Sequence, residues 1–224
     1  MEIKPDPRIF SLITQGVEEA NSIGMAPASA TYQRALKLAI DLNDDAGQAD
    51  CYRMLAITEF RMNMPDKALA LAVRSKEIAR KIGFFAALCK AEILIGNILI
   101  GNKEMARGDY PEAMATFLSS LENARMGQNQ ALEADALHRI GDIYSQLEDH
   151  ELAYDYQSRA LSIAEDLGLK ELQSEIIACL ANTLYKHGER ERYKALCERG
   201  LHLALEDGTQ YQIGISLTNF EYVS

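Results

Sequence analysis

The side chains best suited to chemistry in this chain are four cysteines and four histidines, and their spacing favours no familiar reactive site. The cysteines are Cys51, Cys89, Cys179 and Cys197. They form no C-x-x-C pair, they have no histidine at ligand spacing, and each falls in a predicted helix, which is typical of buried reduced thiols. Cys179 and Cys197 lie on the two helices of one predicted hairpin, so a redox role for this pair stays open as the alternative.

The histidines and carboxylates favour no enzyme chemistry either. The four histidines are His138, His150, His187 and His202. They lack H-E-x-x-H or a similar metal spacing, and the chain has neither a G-x-S-x-G motif nor a glycine-rich loop that would cradle a phosphate. Glu148 and Asp149 are typical of a turn and a helix cap. We therefore expect a protein that is not an enzyme and that needs no metal and no other cofactor.

Charge and hydropathy limit the possible partners and locations. The formal net charge of −10 argues against nucleic acid or an anionic membrane as the partner, because both require basic surface. The N-terminal stretch MEIKPDPRIF has no apolar core of a secretory signal. The longest apolar run, from Ala91 to Ile100, is too short to span a bilayer. These features predict a cytoplasmic protein that binds neither nucleic acid nor membrane.

The stretch from Ala134 to Leu167 predicts the elements that must position these side chains. It contains two apolar stripes at helical spacing, and a single break separates them. The first stripe comprises Leu137, Ile140, Gly141 and Tyr144, and the second comprises Ala153, Tyr156, Ala160, Leu161 and Ala164. Small residues in both stripes allow two helices to approach closely. A hairpin of this size cannot bury both stripes alone, so it requires neighbouring copies.

Copies of this hairpin recur along the chain. Gly141 has Gly101 40 residues before it and Ala181 40 residues after it. One alanine series is spaced by 40, 45, 40 and 40 residues: Ala39, Ala79, Ala124, Ala164 and Ala204. The chain is therefore expected to be a repeat array, with the five additional residues in the first helix of the third unit, before Gly108.

The motif within each unit resembles the tetratricopeptide repeat. The fourth unit carries L-x2-I-G-x2-Y at 137–144, and the third carries G-D-Y-P-E-A at 108–113 followed by Phe117. The absence of tryptophan and the presence of Tyr193 in place of a small residue depart from the family pattern. The repeat length is similar to the 40-residue variety of bacterial peptide-sensing regulators and cytoskeletal adaptors. The resemblance implies an all-α fold, an α-α superhelix (TPR-like solenoid) of about five helical hairpins plus a terminal helix.

We expect residues 1–224 to form a single solenoid. The predicted units are 7–42, 45–82, 84–126, 131–167 and 172–206, with a terminal helix at 210–223. That helix stops in the middle of a motif, with Phe220 and Tyr222 near its end, whereas a terminal helix normally forms a polar cap. We therefore expect the chain to be the N-terminal part of a longer protein, and the terminal helix to be a possible homodimer contact.

By the family's geometry, the first helices line a concave groove that binds a peptide. The resemblance places an amide or carboxylate at motif position 9 of four successive units, and these residues are Asn102, Asp142, Asn182 and Asn219. Amide groups both donate and accept, so such an amide ladder would bind the main chain of an extended peptide. The same phase adds His138, Tyr185 and Arg53 to the groove. Two alternatives stay open: the amides only join neighbouring helices, or the partner uses the apolar 93–101 strip.

The function expected from this resemblance is non-catalytic binding of a protein or peptide. Our first hypothesis is a sensory or scaffolding region of a bacterial-type protein that controls a downstream output domain, with a diguanylate cyclase preferred. The alternative is a stand-alone adaptor or assembly chaperone that holds a partner protein's helix or tail. Both come from what similar arrays are attached to, because the fold itself carries many kinds of binding surface.

Overall fold

The computed structural model describes residues 3–101 and 110–207. In these ranges the chain forms ten α-helices and no strand. The helices are α1 (Pro7–Ser22), α2 (Met25–Asp41), α3 (Asp45–Arg61), α4 (Pro65–Ile82), α5 (Phe85–Gly101), α6 (Tyr110–Met126), α7 (Gln130–Gln146), α8 (His150–Asp166), α9 (Lys170–Lys186) and α10 (Arg190–Asp207). None of them combines the length and the hydropathy that a membrane-crossing helix needs.

The helix boundaries follow from local sequence. Asp44, Asn129 and Asp149 cap α3, α7 and α8, because each side chain accepts a hydrogen bond of 2.9–3.1 Å from the backbone N–H three residues further on. Pro65 begins α4, where its missing N–H costs nothing. Gly83 ends α4 with a φ of 69°, a left-handed conformation that glycine adopts without strain. Caps of this kind divide the sequence into short helices of similar length.

The helices pair in chain order as five hairpins in the described ranges, α1–α2 to α9–α10. Two compact units contain them: unit 1 (Met1–Gln128) holds α1 to α6, and unit 2 (Asn129–Ser224) holds α7 to α10. Within each unit every hairpin packs on the next, and neighbouring first helices also touch, as α3 does α5 and α7 does α9. The predicted all-α architecture of successive hairpins is confirmed. The single solenoid over residues 1–224 stays a prediction, and the predicted terminal helix at 210–223 lies outside the described residues.

Three hairpins close on a glycine of the first helix. A methyl group added to that glycine would come within 2.3–2.6 Å of the side chain facing it from the second helix. The pairs are Gly16 with Tyr32, Gly96 with Phe117 and Gly141 with Gln157. All three facing side chains are fully buried, so each fills the space that its glycine leaves. The third pair differs from the others because Gln157 is polar.

These glycine pairs correct the predicted register of the third hairpin. Gly96, and not Gly101, faces the second helix as Gly141 does, and α5 begins 45 residues before α7. Both helices contain 17 residues, so α5 has no extra length. Eight residues separate α5 from α6, whereas three separate α7 from α8. The five additional residues therefore lie after Gly101, within 102–109, and the prediction that placed them in the first helix was wrong.

The apolar 93–101 strip belongs to the core of unit 1. Six of its residues are buried: Ile93, Leu94, Ile95, Gly96, Ile98 and Leu99. Helix α5 packs against α3, α4 and α6, which explains why it is apolar on nearly every side. A strip that is buried in this way offers little surface to a partner.

Candidate functional site

The first helices of unit 2 border an open groove of about 620 Å³. Its walls come from the N-terminal halves of α7 and α9 and from the turn before α9. The charged residues that line it are Asp135, Arg139, Lys170, Glu171 and Glu175. Three carboxylates and two cations give the groove a mixed lining with an excess of negative charge.

Arg139 joins the two walls of the groove. Its Nε donates to Asp135 Oδ1 at 3.1 Å on the same helix, and its guanidinium reaches Glu175 Oε2 at 3.4 Å on α9. The Arg139 side chain is only 26% exposed, so these contacts hold it in one place. The two neighbouring carboxylates keep the pKa of Arg139 above its ordinary value, against the opposing effect of burial. The arrangement presents fixed charges of both signs to a ligand.

A polar network lies between α7, α8 and α9, directly along from this groove. Gln157 Nε2 donates to Asp142 Oδ1 at 3.2 Å, and the Thr183 hydroxyl lies 3.1 Å from Gln157 Oε1. Gln157 and Thr183 are buried, whereas the Asp142 side chain is 28% exposed. Burial raises the pKa of Asp142, although Arg139 and the groups that donate to the carboxylate act in the opposite direction. The network connects the surface of the groove with the interior of unit 2.

His138 and Cys179 complete this network. His138 Nε2 lies 3.6 Å from Asp142 Oδ2, one helical turn away on α7. The Cys179 thiol comes from α9 and bonds to the Asp142 carboxylate. Burial lowers the pKa of His138 to about 3, so the imidazole is neutral near pH 7, and burial raises the pKa of the Cys179 thiol. One aspartate therefore lies between a neutral imidazole and a protonated thiol.

The residues predicted to form the groove occupy different environments. Asp142 is half-buried, Asn182 is exposed, and Tyr185 is 59% exposed with its ring centroid 5.4 Å from that of Tyr193. His138, in contrast, is only 1% exposed, so it lies beneath the surface. Arg53 belongs to unit 1, where it is half-buried and pairs with Asp50 at 3.2 Å. Asn102 and Asn219 lie outside the described residues.

The corrected register identifies a further member of the amide ladder. Asn97 follows Gly96 as Asp142 follows Gly141, and it is half-buried. Within the described residues the ladder therefore contains Asn97 and Asn182 with Asp142 between them in sequence. Whether these side chains bind a peptide stays a prediction.

Sequence reasoning missed the residues that give the unit 2 site its chemistry. Arg139 stands next to His138 and outside the positions assigned to the groove, and Gln157 belongs to a second helix. Cys179 was interpreted as a buried thiol without a neighbouring ligand. The available signal was a substitution: Gln157 occupies the place that Phe117 takes opposite Gly96.

The pairing of Cys179 with Cys197 finds no support in unit 2. Both residues are free thiols. Cys197 packs in an apolar cluster with Leu184 and Tyr193, whereas Cys179 bonds to Asp142. The two sulfur atoms therefore serve different environments.

Comparisons with known proteins agree with this architecture. Residues 93–166 match the family model of the tetratricopeptide repeat. Tetratricopeptide repeat protein 29 of Trypanosoma brucei brucei (strain 927/4 GUTat10.1) is 24% identical over 152 residues, which are 67% of this chain and 32% of the relative. The chain thus spans about a third of the length of that curated relative.

Two solved structures share the fold. The apo form of RapI is similar with a TM-score of 0.74 and 17% identity, covering 96% of this chain and 83% of that one. A Rap protein complexed with Competence and Sporulation Factor is similar with a TM-score of 0.75 and 16% identity, covering 96% of this chain and 64% of that one. Together with the repeat motif and the packed hairpins, these matches establish that the chain is a tetratricopeptide repeat protein.

Proposed function

We propose that this chain is a non-catalytic module that binds a protein or peptide segment along the first helices of unit 2. The observation that carries the proposal is the open groove in which Arg139 is held between Asp135 and Glu175. Fixed charges of both signs suit a polypeptide, which offers amides and side chains of either charge, better than they suit a phosphate-rich ligand.

The lining of the groove defines the kind of segment it would accept. Carboxylates outnumber cations in the groove, so basic side chains of a ligand gain more than acidic ones. Asn182, exposed on α9, has both a donor and an acceptor for a peptide main chain. Tyr185, one turn further along, offers an exposed aromatic ring for apolar contact. The favoured ligand is therefore an extended segment that carries lysine or arginine.

The wider role that we propose is sensory or scaffolding, in a cytoplasmic protein whose output domain follows this array, with a diguanylate cyclase as the preferred output. The similar Rap protein is complexed with Competence and Sporulation Factor, which supports recognition of a signalling factor. A stand-alone adaptor that holds a partner's helix or tail is the second candidate, since the same groove would serve it. A homodimer through residues 210–223 stays a prediction.

Selection from a displayed library of random peptides tests the binding role. Peptides enriched on the wild-type chain should be rich in lysine and arginine. Arg139→Ala removes a charged group from the groove and should weaken their binding about tenfold, since hydrogen bonds to charged groups contribute about 1.5–3 kcal/mol. Asn182→Ala should weaken it by a few-fold, because a neutral hydrogen bond contributes about 0.5–1.5 kcal/mol.

The matched control is Arg159→Ala. Arg159 pairs with Asp155 four residues before it on α8, as Arg139 pairs with Asp135 on α7, but it does not line the groove. Its replacement should leave the affinity unchanged. Failure to enrich any peptide, or equal binding by all three variants, would contradict the groove as the binding surface.

A further inference from the structure

We propose that His138, Asp142 and Cys179 bind a divalent transition-metal ion, and that zinc is the ion whose preferred ligands they match. One ligand atom from each residue lies within 4.8 Å of the other two. This is the single such group of three in the part of the chain that the structure describes. The inference goes beyond the peptide groove and does not depend on it.

The spacing of two of the ligand atoms already suits a metal ion. Zinc holds nitrogen and oxygen ligands at about 2.0–2.2 Å in a tetrahedron, so two such ligands lie about 3.3 Å apart. His138 Nε2 and Asp142 Oδ2 are 3.6 Å apart, close to that separation and longer than a good hydrogen bond. An ion between them would require only a small contraction.

The imidazole of His138 has no role in the hydrogen bonding of unit 2. Its side chain is 1% exposed, and its Nδ1 finds no hydrogen-bond partner within the described ranges. Its Nε2 faces the Asp142 carboxylate beyond hydrogen-bond distance. Buried polar groups are nearly always paired, so an imidazole with both nitrogens unused needs an explanation, and a metal ion supplies one. A neutral imidazole is also the form that ligates metals.

A second layer of side chains orients the aspartate. Gln157 Nε2 donates to Asp142 Oδ1, which leaves Oδ2 directed at His138. Gln157 is itself bonded to the Thr183 hydroxyl, and both residues are buried. Metal-binding carboxylates usually have such outer hydrogen bonds, because these fix the direction of the free oxygen. The partly exposed Asp142 side chain gives an ion a route from solvent.

Cys179 makes the site selective for a soft or borderline ion. Its sulfur lies against the Asp142 carboxylate and bonds to it as a protonated thiol. On binding, the ion takes the thiolate and the thiol proton passes to solvent. A set of one nitrogen, one oxygen and one sulfur favours zinc or cobalt over magnesium or calcium, which prefer oxygen alone. Three protein ligands leave a fourth position for water.

Cobalt absorption spectroscopy on the full chain tests the site. After dialysis against a chelator, Co²⁺ should bind with one ion per chain and produce a thiolate-to-cobalt charge-transfer band together with the visible bands of a tetrahedral ion, and Zn²⁺ should displace it. Cys179→Ser should abolish the charge-transfer band and weaken zinc affinity at least about tenfold, since even outer-shell changes cost about 10–100-fold.

Cys197→Ser is the matched control, because Cys197 is a buried thiol of the same unit that lies outside the site. It should leave the band and the affinity unchanged. Asp142→Asn preserves the size of the side chain and provides a second variant if Cys179→Ser does not fold; it should retain sulfur ligation and bind zinc at least about tenfold more weakly. Absence of the charge-transfer band in the wild type, its persistence in Cys179→Ser, or unchanged zinc affinity in Asp142→Asn would overturn the proposal.

Discussion

Equivalent positions of the two units hold different chemistry. The positions compared are the ninth and thirteenth residues of one first helix and the tenth of the next. In the α7–α9 pair of unit 2 they are His138, Asp142 and Cys179. In the α3–α5 pair of unit 1 they are Arg53, Ile57 and Leu94. Leu94 is buried, and Arg53 turns to Asp50 on its own helix, so unit 1 has no ligand group at these positions.

The helix facing these residues follows the same division. Phe117 fills the space opposite Gly96 in unit 1, whereas Gln157 fills the space opposite Gly141 in unit 2 and donates to Asp142. The fold therefore does not require a polar seam between its helices, because an apolar one forms the same hairpin. A buried polar network contributes little net stability over an apolar replacement, so its presence in unit 2 points to a function.

The largest effect should come from the apolar seam. Phe117→Ala removes a fully buried aromatic ring opposite Gly96 and should lower the free energy of unfolding by about 3–5 kcal/mol. Urea unfolding followed by circular dichroism measures it. Leu118→Ala on the same helix is the control, because Leu118 is exposed and should change stability by no more than about 0.5 kcal/mol. Equal effects of the two changes would refute the anchoring role of Phe117.

A smaller loss is expected when the polar seam is broken at one residue. Gln157→Met keeps the volume but removes the donor to Asp142 and the partner of Thr183, and it should cost about 1–3 kcal/mol because both groups remain buried or partly buried. The same urea experiment applies, with the exposed Gln146→Met as control. If Gln157→Met is as stable as the wild type, the network does not connect the three helices.

Replacing the whole polar seam should have the smallest effect. The fourfold variant His138→Leu, Asp142→Leu, Gln157→Met and Cys179→Ala makes unit 2 resemble unit 1 at these positions. Its metal-free stability should lie within about 1 kcal/mol of the wild type, since no partner is left unpaired. Zinc should raise the melting temperature of the wild type and not of this variant. A loss as large as that of Phe117→Ala would show that the polar seam is required for folding.

The hairpins were predictable from sequence because their signal is local. Apolar spacing, caps such as Asp149 and the glycine of each first helix all lie within one unit. The register of the third unit was not predictable, since ILIGN occurs twice in succession, at 93–97 and 98–102. Either glycine fits a repeat, one at 45 residues from Gly141 and the other at 40. Only the contact of Gly96 with Phe117 distinguishes them.

The unit 2 site was half predictable. Position 9 correctly directed attention to Asp142, whose location depends on its own helix alone. The neighbourhood of Cys179 depends on how α7, α8 and α9 pack, and no rule on linear spacing connects residues 41 apart, as His138 and Cys179 are. Gln157 was read as a polar residue within a second helix, although only the packing of α8 against Gly141 reveals that it is buried.

The doubled ILIGN also bears on how this gene came to differ from a strict 40-residue period. A tandem, in-frame duplication of five codons would create the second copy and the 45-residue step in one event. The addition would be tolerated because the surplus falls after Gly101, between two helices, where lengthening a connection costs little free energy. Ancestral sequences of this lineage should then carry ILIGN once and the alanine series at an unbroken spacing of 40.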